Sequence, residues 1–334
     1  MITVLAGGVG AARFLRGLVL EVDPQDITVV VNTGDDTMMH GLRISPDLDT
    51  VTYTVAAAID PHRGWGLANE SWIAMESLAR YGAVKPDSSS AAGTWFNLGD
   101  RDLATHLYRT ARLAEGATLS EVTVEIARAW GITMKMMPMS DAPVSTMLDI
   151  IEDGSALRVS FQEYFVKRQH GVPVTGVEFI GAKTAQPTFL STLRDSEVVI
   201  IAPSNPIVSL GPIRALCDVD STLTAMRNQV VAISPIVAGA ALKGPADRML
   251  TELGHEASVV GVARLYAPIC ATLVIDEQDA HLQTAVEREG LRCLITDTIM
   301  RTPEITQSLA HVANCRQTKR DLANIAIQHW FKID

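Results

Sequence analysis

The chain has 334 residues, 47% of them hydrophobic and 20% charged, and 28 Lys and Arg stand against 38 Asp and Glu for a formal charge of −10. So apolar a chain can bury enough surface to offset its ordering entropy, which excludes disorder. The acidic balance excludes broad, charge-driven binding to DNA or RNA, which needs basic surface to displace phosphate counterions. Half of the imbalance falls in residues 1–60, where Arg13, Arg16 and Arg43 face eight acids.

In chain order, Ile2–Ala6 and Ile27–Val31 read as the first two strands, and residues 12–20 between them carry Phe14, Leu15, Leu18 and Val19 at helical spacing. Residues 60–170, approximately, are richer in helix-like segments, at 71–81, 103–113 and 120–130, with a polar loop at 85–93. Further short apolar runs at 177–180, 198–202, 230–233, 271–275 and 291–295 have the continuous character of strands covered on both faces. The expectation is one Rossmann-like α/β catalytic domain over residues 1–334. It has a mostly parallel sheet with helices on both faces, and residues 60–170 form a helical insertion or cap. The apolar opening is too short for a signal peptide, and no window approaches the ~20 apolar residues of a membrane span, so a soluble cytoplasmic protein with no membrane partner is expected. Cys217, Cys270, Cys293 and Cys315 contain no C-x-x-C pair, which fits free thiols in a reducing compartment.

Gly7-Gly8-Val9-Gly10 follows the first strand and opens the first helix. In that setting glycines let a phosphate approach the outward N–H groups of a helix N-terminus. The dinucleotide fingerprint needs glycine where Arg13 stands, and no Gly-Lys-Ser/Thr completes a Walker A loop. The loop suggests a nucleotide or phosphate without naming one, and a ligand-free turn stays open.

Asp35 and Asp36 follow the second strand, and Asp47 and Asp49 follow soon after in Ser-Pro-Asp-Leu-Asp-Thr. Adjacent parallel strands converge on one crevice at their carboxyl ends. Four carboxylates beside a phosphate loop repel an anionic ligand unless a cation intervenes, and Mg²⁺ binds oxygen ligands and bridges carboxylates to phosphates. Asp36 and Asp47 read equally well as turn or helix caps. Arg101, between Asp100 and Asp102, is either directed at a phosphate or planar ring or solvated at a helix start. Ser204 and Asn205 lie at a strand end, between two prolines. His40, His62 and His106 read as hydrogen-bonding residues without metal-ligand partners at helical spacing.

Together and in order, GGVGAARFL (7–15), VVNTGDD (30–36), RISPDLDTVTY (43–53), IDPHRGWG (59–66), LGDRDLATH (98–106), APSNPI (202–207) and SPIVAG (234–239) resemble the 2-phospho-L-lactate transferase family of coenzyme F420 biosynthesis. The resemblance implies a Mg²⁺-dependent, homodimeric enzyme acting on small molecules. It would move a phospho-three-carbon-acid group (phospholactate, phosphoenolpyruvate or a relative) from a GMP-linked pyrophosphate donor to the ribityl hydroxyl of the deazaflavin Fo, releasing GMP. It implies Asp49 and Arg101 as contacts to Fo, and Asp35 with Asp49 as the catalytic and metal-holding pair. Gly7, Gly8, Gly10, Ser204 and Asn205 would cradle the GDP-like half, and Asp49 would also assist deprotonation of the attacking hydroxyl. Ala11-Ala12-Arg13 resembles bacterial members more than the Thr-Pro-Lys type of methanogens, which leaves the three-carbon acid open. A non-enzymatic nucleotide-sugar-binding regulator has no need for the SPDLDT and LGDRD residues. An NAD(P)-dependent oxidoreductase is disfavoured by Arg13 and by the carboxylate excess.

Overall fold

The computed structural model describes residues 1–314. Strand β1 (Ile2–Ala6), helix α1 (Gly8–Glu21) and strand β2 (Ile27–Val31) form a first βαβ unit whose strands have the expected bounds. A hairpin of β3 (Thr37–Met39) and β4 (Leu42–Ile44) follows, then α2 (Pro46–Val55), α3 (Ile73–Gly82), α4 (Asp102–Ala114) and α5 (Leu119–Ala129). Next come β5 (Lys135–Pro138), β6 (Ser145–Glu152), β7 (Ser155–Ser160) and β8 (Val174–Ile180). The chain continues through α6 (Leu190–Arg194), β9 (Val198–Ile201), α7 (Gly211–Arg214), α8 (Val219–Ala225) and β10 (Val230–Ile233). Two short strands, β11 (Ile236–Val237) and β12 (Ala240–Ala241), lead to α9 (Ala246–Glu252) and α10 (Val259–Tyr266). Last are β13 (Thr272–Ile275), α11 (Gln283–Arg288), β14 (Arg292–Ile295) and α12 (Pro303–Asn314).

Seven strands form the central sheet in the order β14-β13-β10-β9-β1-β2-β5, and every neighbouring pair is parallel. Because successive side chains alternate between faces, Leu5, Val199 and Ile201 pack in one apolar layer with Val262, Ala263 and Tyr266 of α10. Val4, Ala6, Val29 and Ile200 pack in the other with Phe14, Leu15 and Leu18 of α1 and Leu309 of α12. Each large side chain so enclosed contributes about 1.5–3 kcal/mol. From β1 the strand order runs toward β2 on one side and β9 on the other. That reversal marks a switch point at the carboxyl ends of β1 and β9, where α/β sheets bind ligands.

Two expectations need correction. Residues 177–180 lie in β8, which belongs to a separate antiparallel sheet, β7-β6-β8, and not to the buried parallel sheet. Val177 and Phe179 are partly covered while Glu178 and Ile180 are exposed, the alternation of a strand with one wet face. Conversely, β5 is not among the apolar runs that read as strands, although Pro138 to Asp141 has the character of a strand end. It is an edge strand that starts at exposed Lys135 and ends at Pro138, which a sheet tolerates only at its margin.

Within residues 60–170, α3, α4 and α5 fall close to the expected segments, and 85–93 holds no regular element. Cys217 is exposed and Cys270 and Cys293 are buried, all three as free thiols, while Cys315 lies outside the described residues. Among the described residues no helix is long and apolar enough to cross a membrane.

Candidate active site

The switch point is built on close backbone contact. Gly7 caps α1 in extended conformation and Gly8 has φ +71°, a left-handed value that favours glycine. A Cβ on Gly10 would lie 2.2 Å from the carbonyl oxygen of Pro203, so only glycine lets the loop after β1 meet the loop after β9. Ser204 ties the two together. Its Oγ donates to Gly7 O at 2.8 Å and accepts from Gly7 N at 3.3 Å. Asn205 folds its own loop, with Oδ1 accepting from the backbone N–H groups of Ile207 at 2.9 Å and Val208 at 3.4 Å. Ser204 therefore reaches the glycine loop, whereas the Asn205 side chain holds its own loop and lies 3.7 Å from Met249 Sδ.

Three acids gather beside this loop. Asn32, fully buried at the end of β2, donates from Nδ2 to Asp35 Oδ2 and to Asp47 Oδ2, each at 3.0 Å. Asp47 also accepts a hydrogen bond from the Gly8 backbone. Asp36 Oδ2 accepts from Ser45 Oγ at 2.7 Å. Burial, reinforced by Asp47, pushes the Asp35 carboxyl well above the ordinary carboxylate range. Burial raises Asp36 to about 8 against the pull of the Ser45 bond, and raises Asp47 to about 6. Asp35 Oδ1 and Asp36 Oδ1 are buried without a hydrogen-bond partner. Among the described residues no Lys or Arg forms an ion pair with Asp35, Asp36 or Asp47.

Asp49 has different company. Helix α4 presents Asp102, His106 and Arg109 on one face at i, i+4 and i+7. Both Asp49 oxygens are taken by Arg109, through Nη1 to Oδ2 at 3.1 Å and through Nη2 to Oδ1. Arg109 Nη1 also lies 3.3 Å from His106 Nδ1. His106 Nε2 is 3.2 Å from Asp102 Oδ2, and Tyr53 donates its hydroxyl to Asp102 Oδ1 at 2.6 Å. Burial opposes ionisation of Asp102, but His106 and Tyr53 outweigh it and hold the carboxyl below its ordinary range. His106 thus has one carboxylate partner at helical spacing after all, Asp102. Among the described residues Asp49, Asp102 and His106 are the group of three whose ligand atoms lie within 4.8 Å of one another, an arrangement compatible with a divalent metal.

Arg101 is exposed at the N-cap of α4, its guanidinium donating to Ala68 O at 2.5 Å. Glu70 accepts from the backbone N–H groups of Arg101 at 2.8 Å and Asp102 at 2.9 Å, while Asp100 accepts from those of Ile73 and Ala74, each at 3.0 Å, and so caps α3. No ion pair or hydrogen bond joins Arg101 to Asp49 among the described residues. The sequence reading gives no site role to Asn32, Tyr53, Asp102 or Arg109. The signal available for two of them was the Asp-x-x-x-His-x-x-Arg spacing on one helix face.

The profile of the family described as 2-phospho-L-lactate transferase CofD matches residues 2–312. A phosphoenolpyruvate transferase of Kitasatospora aureofaciens is 40% identical over 316 residues, covering 93% of this chain and 96% of that protein. The phosphoenolpyruvate transferase of Mycolicibacterium smegmatis is 38% identical over 339 residues, covering 98% and 99%. Among solved structures, protein BH3568 from Bacillus halodurans matches with a TM-score of 0.57 at 15% identity, covering 93% of this chain and 98% of that one. That last likeness is one of fold alone. The near-complete match to transferase sequences supplies what the fold leaves open: this chain belongs to the 2-phospho-L-lactate transferase (CofD) family, the phosphoenolpyruvate/phospholactate transferases of coenzyme F420 biosynthesis.

Proposed function

We propose that this enzyme moves a phosphoenolpyruvyl group from a GMP-linked pyrophosphate donor to the ribityl hydroxyl of Fo, with Mg²⁺ as its cation. The hydroxyl oxygen forms a bond to the distal phosphorus, the bond from that phosphorus to the bridging oxygen breaks, and GMP leaves. The observation that carries this reading is the contact between Asp47 and the glycine loop. A phosphate at the N-terminus of α1 would face three buried carboxylates that have no ion-pair partner. The names of the two relatives support enolpyruvate as the three-carbon acid.

The residues present fit such a cation, because Asp35 and Asp36 each keep a buried oxygen without a partner. Asp35 and Asp47 are the residues that would hold it. When bound, Mg²⁺ neutralises charge on the pyrophosphate oxygens and on the carboxylates. Gly7, Gly8 and Gly10 let the donor approach the helix N-terminus, and Ser204 and Asn205 hold the shape of that approach. We assign Asp49 to the acceptor side, as the group that receives the hydroxyl proton on a lone pair the guanidinium leaves open, with Arg109 fixing the direction of the carboxylate. Arg101, exposed at the start of α4, is assigned to the deazaflavin ring. Positioning and charge neutralisation are what phosphoryl-type transfer chiefly requires. A cytoplasmic homodimer is part of the same reading.

The test is to incubate the protein with Fo and each candidate GMP-linked donor, with and without Mg²⁺, and to follow GMP release and product mass. GMP and product in equal amounts, only with Mg²⁺ and best with the enolpyruvyl donor, is the expected outcome. No product with any donor, together with tight binding of a nucleotide sugar, favours the binding-regulator reading instead.

A further inference from the structure

We infer that Arg109 is a positioning residue, a built-in cation that divides the acidic cluster into a half neutralised within the protein and a half left for an exchangeable divalent cation. The inference rests on the reading that a divalent cation serves this site. It does not depend on which donor or acceptor the enzyme uses.

The two halves are distinguished by their partners. Arg109 is 2% exposed, and its two terminal nitrogens engage the two oxygens of Asp49. A guanidinium does not lose its proton in a protein, so this charge is permanent, and its planar fork fixes the direction of the carboxylate it grips. Its field also favours the ionised form of Asp36. The neutralised half extends outward through His106, Asp102 and Tyr53, whose contacts join α4 to α2.

The other half is Asp35 and Asp47, which share the amide of Asn32, while Thr146 favours the ionised form of Asp35 and the Gly8 backbone that of Asp47; all of these partners are neutral. Asp35 is 5% exposed and its Oδ1 has no partner. A buried carboxylate oxygen left unpartnered beside a second carboxylate is what a cation would complete.

The same argument weighs against a metal among Asp49, Asp102 and His106. A divalent ion there would sit close to the Arg109 guanidinium. At such short range the like charges repel, and more strongly for a divalent than for a monovalent ion. A carboxylate pair without a competing guanidinium is the better host, and Mg²⁺ in particular favours oxygen over imidazole donors.

The experiment uses Mn²⁺ as the probe, measured by electron paramagnetic resonance on the full chain without substrates. The wild type is expected to bind one Mn²⁺ per chain, and Asp47→Asn to weaken that binding by at least about tenfold. Arg109→Gln frees Asp49, so it should tighten Mn²⁺ binding by about tenfold or add a second site, and Arg109→Lys, which keeps the charge, should restore the wild-type count. Should Arg109→Gln fail to fold, the double variant Arg109→Gln with Asp49→Asn removes the buried pair together and should bind one Mn²⁺ with affinity within about threefold of the wild type. The inference is overturned if folded Arg109→Gln binds Mn²⁺ as the wild type does. It is overturned equally if the double variant loses the ion, which would make Asp49 a ligand. Transfer to Fo without Mn²⁺ uptake by the wild type overturns this inference and leaves the proposed transfer standing; uptake without transfer does the reverse.

Discussion

Asp47 and Asp49 stand two residues apart in the first turn of α2, yet they belong to different electrostatic surroundings. At about 100° per residue, positions two apart on a helix point to different sides. Asp47 turns toward Asn32 and the glycine loop, where it meets other carboxylates and a helix N-terminus. Asp49 turns toward α4 and is gripped by a buried guanidinium. The difference shows that the acidic excess of residues 1–60 is not one feature. Part of it is internally neutralised and rigid; part is held apart by a neutral amide and lacks a counter-charge. The first arrangement suits orienting a group, and the second suits receiving a cation with an anionic substrate.

The largest way to break this contrast is Asp49→Asn. It leaves Arg109 buried with a neutral partner, so stability in a denaturant titration should fall by about 3 kcal/mol. Turnover should fall by about 10²–10⁴-fold if Asp49 takes the hydroxyl proton, and near-normal turnover would remove it from the chemistry.

The pH dependence of the unpaired half comes next. Asp36 rises to about 8 and Asp47 to about 6 in the folded protein, against an unfolded value of about 4. The folded state therefore binds more protons than the unfolded chain between those values. The associated stability is present below about pH 4 and is lost as pH rises through about 6 and then about 8. In chelator the Tm contribution of this half should fall across that window, and Mg²⁺ should reduce the fall by binding the ionised form. A Tm that responds to neither pH nor Mg²⁺ would contradict the assignment.

Asp47→Asn sharpens the comparison with the opposite sign. It removes a buried like charge while keeping a polar group for hydrogen bonding, so the cation-free protein should gain about 1 kcal/mol, read as a raised denaturation midpoint. A loss as large as that of Asp49→Asn would show that the two acids are equivalent. Arg101→Ala has the smallest expected effect on folding, within about 0.5 kcal/mol because the side chain is exposed. It should raise KM for Fo with little change in stability, and an unchanged KM would separate Arg101 from the acceptor.

Much of this architecture is legible along the chain. The bounds of β1 and β2 follow from apolar runs that only a doubly covered sheet explains, and Gly7, Gly8 and Gly10 mark a turn where backbone meets backbone. The acidic motifs are visible as residues but not as sites. Strand β8 misled because four apolar-leaning residues look alike in a parallel core and in a half-wet antiparallel sheet, and β5 escaped because an edge strand carries Lys and Pro.

By itself the sequence determined the parallel α/β plan, the glycine loop and the supply of carboxylates, since periodicity and glycine placement are local properties of the chain. Only the tertiary structure decided which carboxylate is neutralised. Ser204 reaches Gly7 across 197 positions and Arg109 reaches Asp49 across 60. A charge inside a protein takes its behaviour from burial and from partners brought by folding, and neither is encoded in the residues next to it.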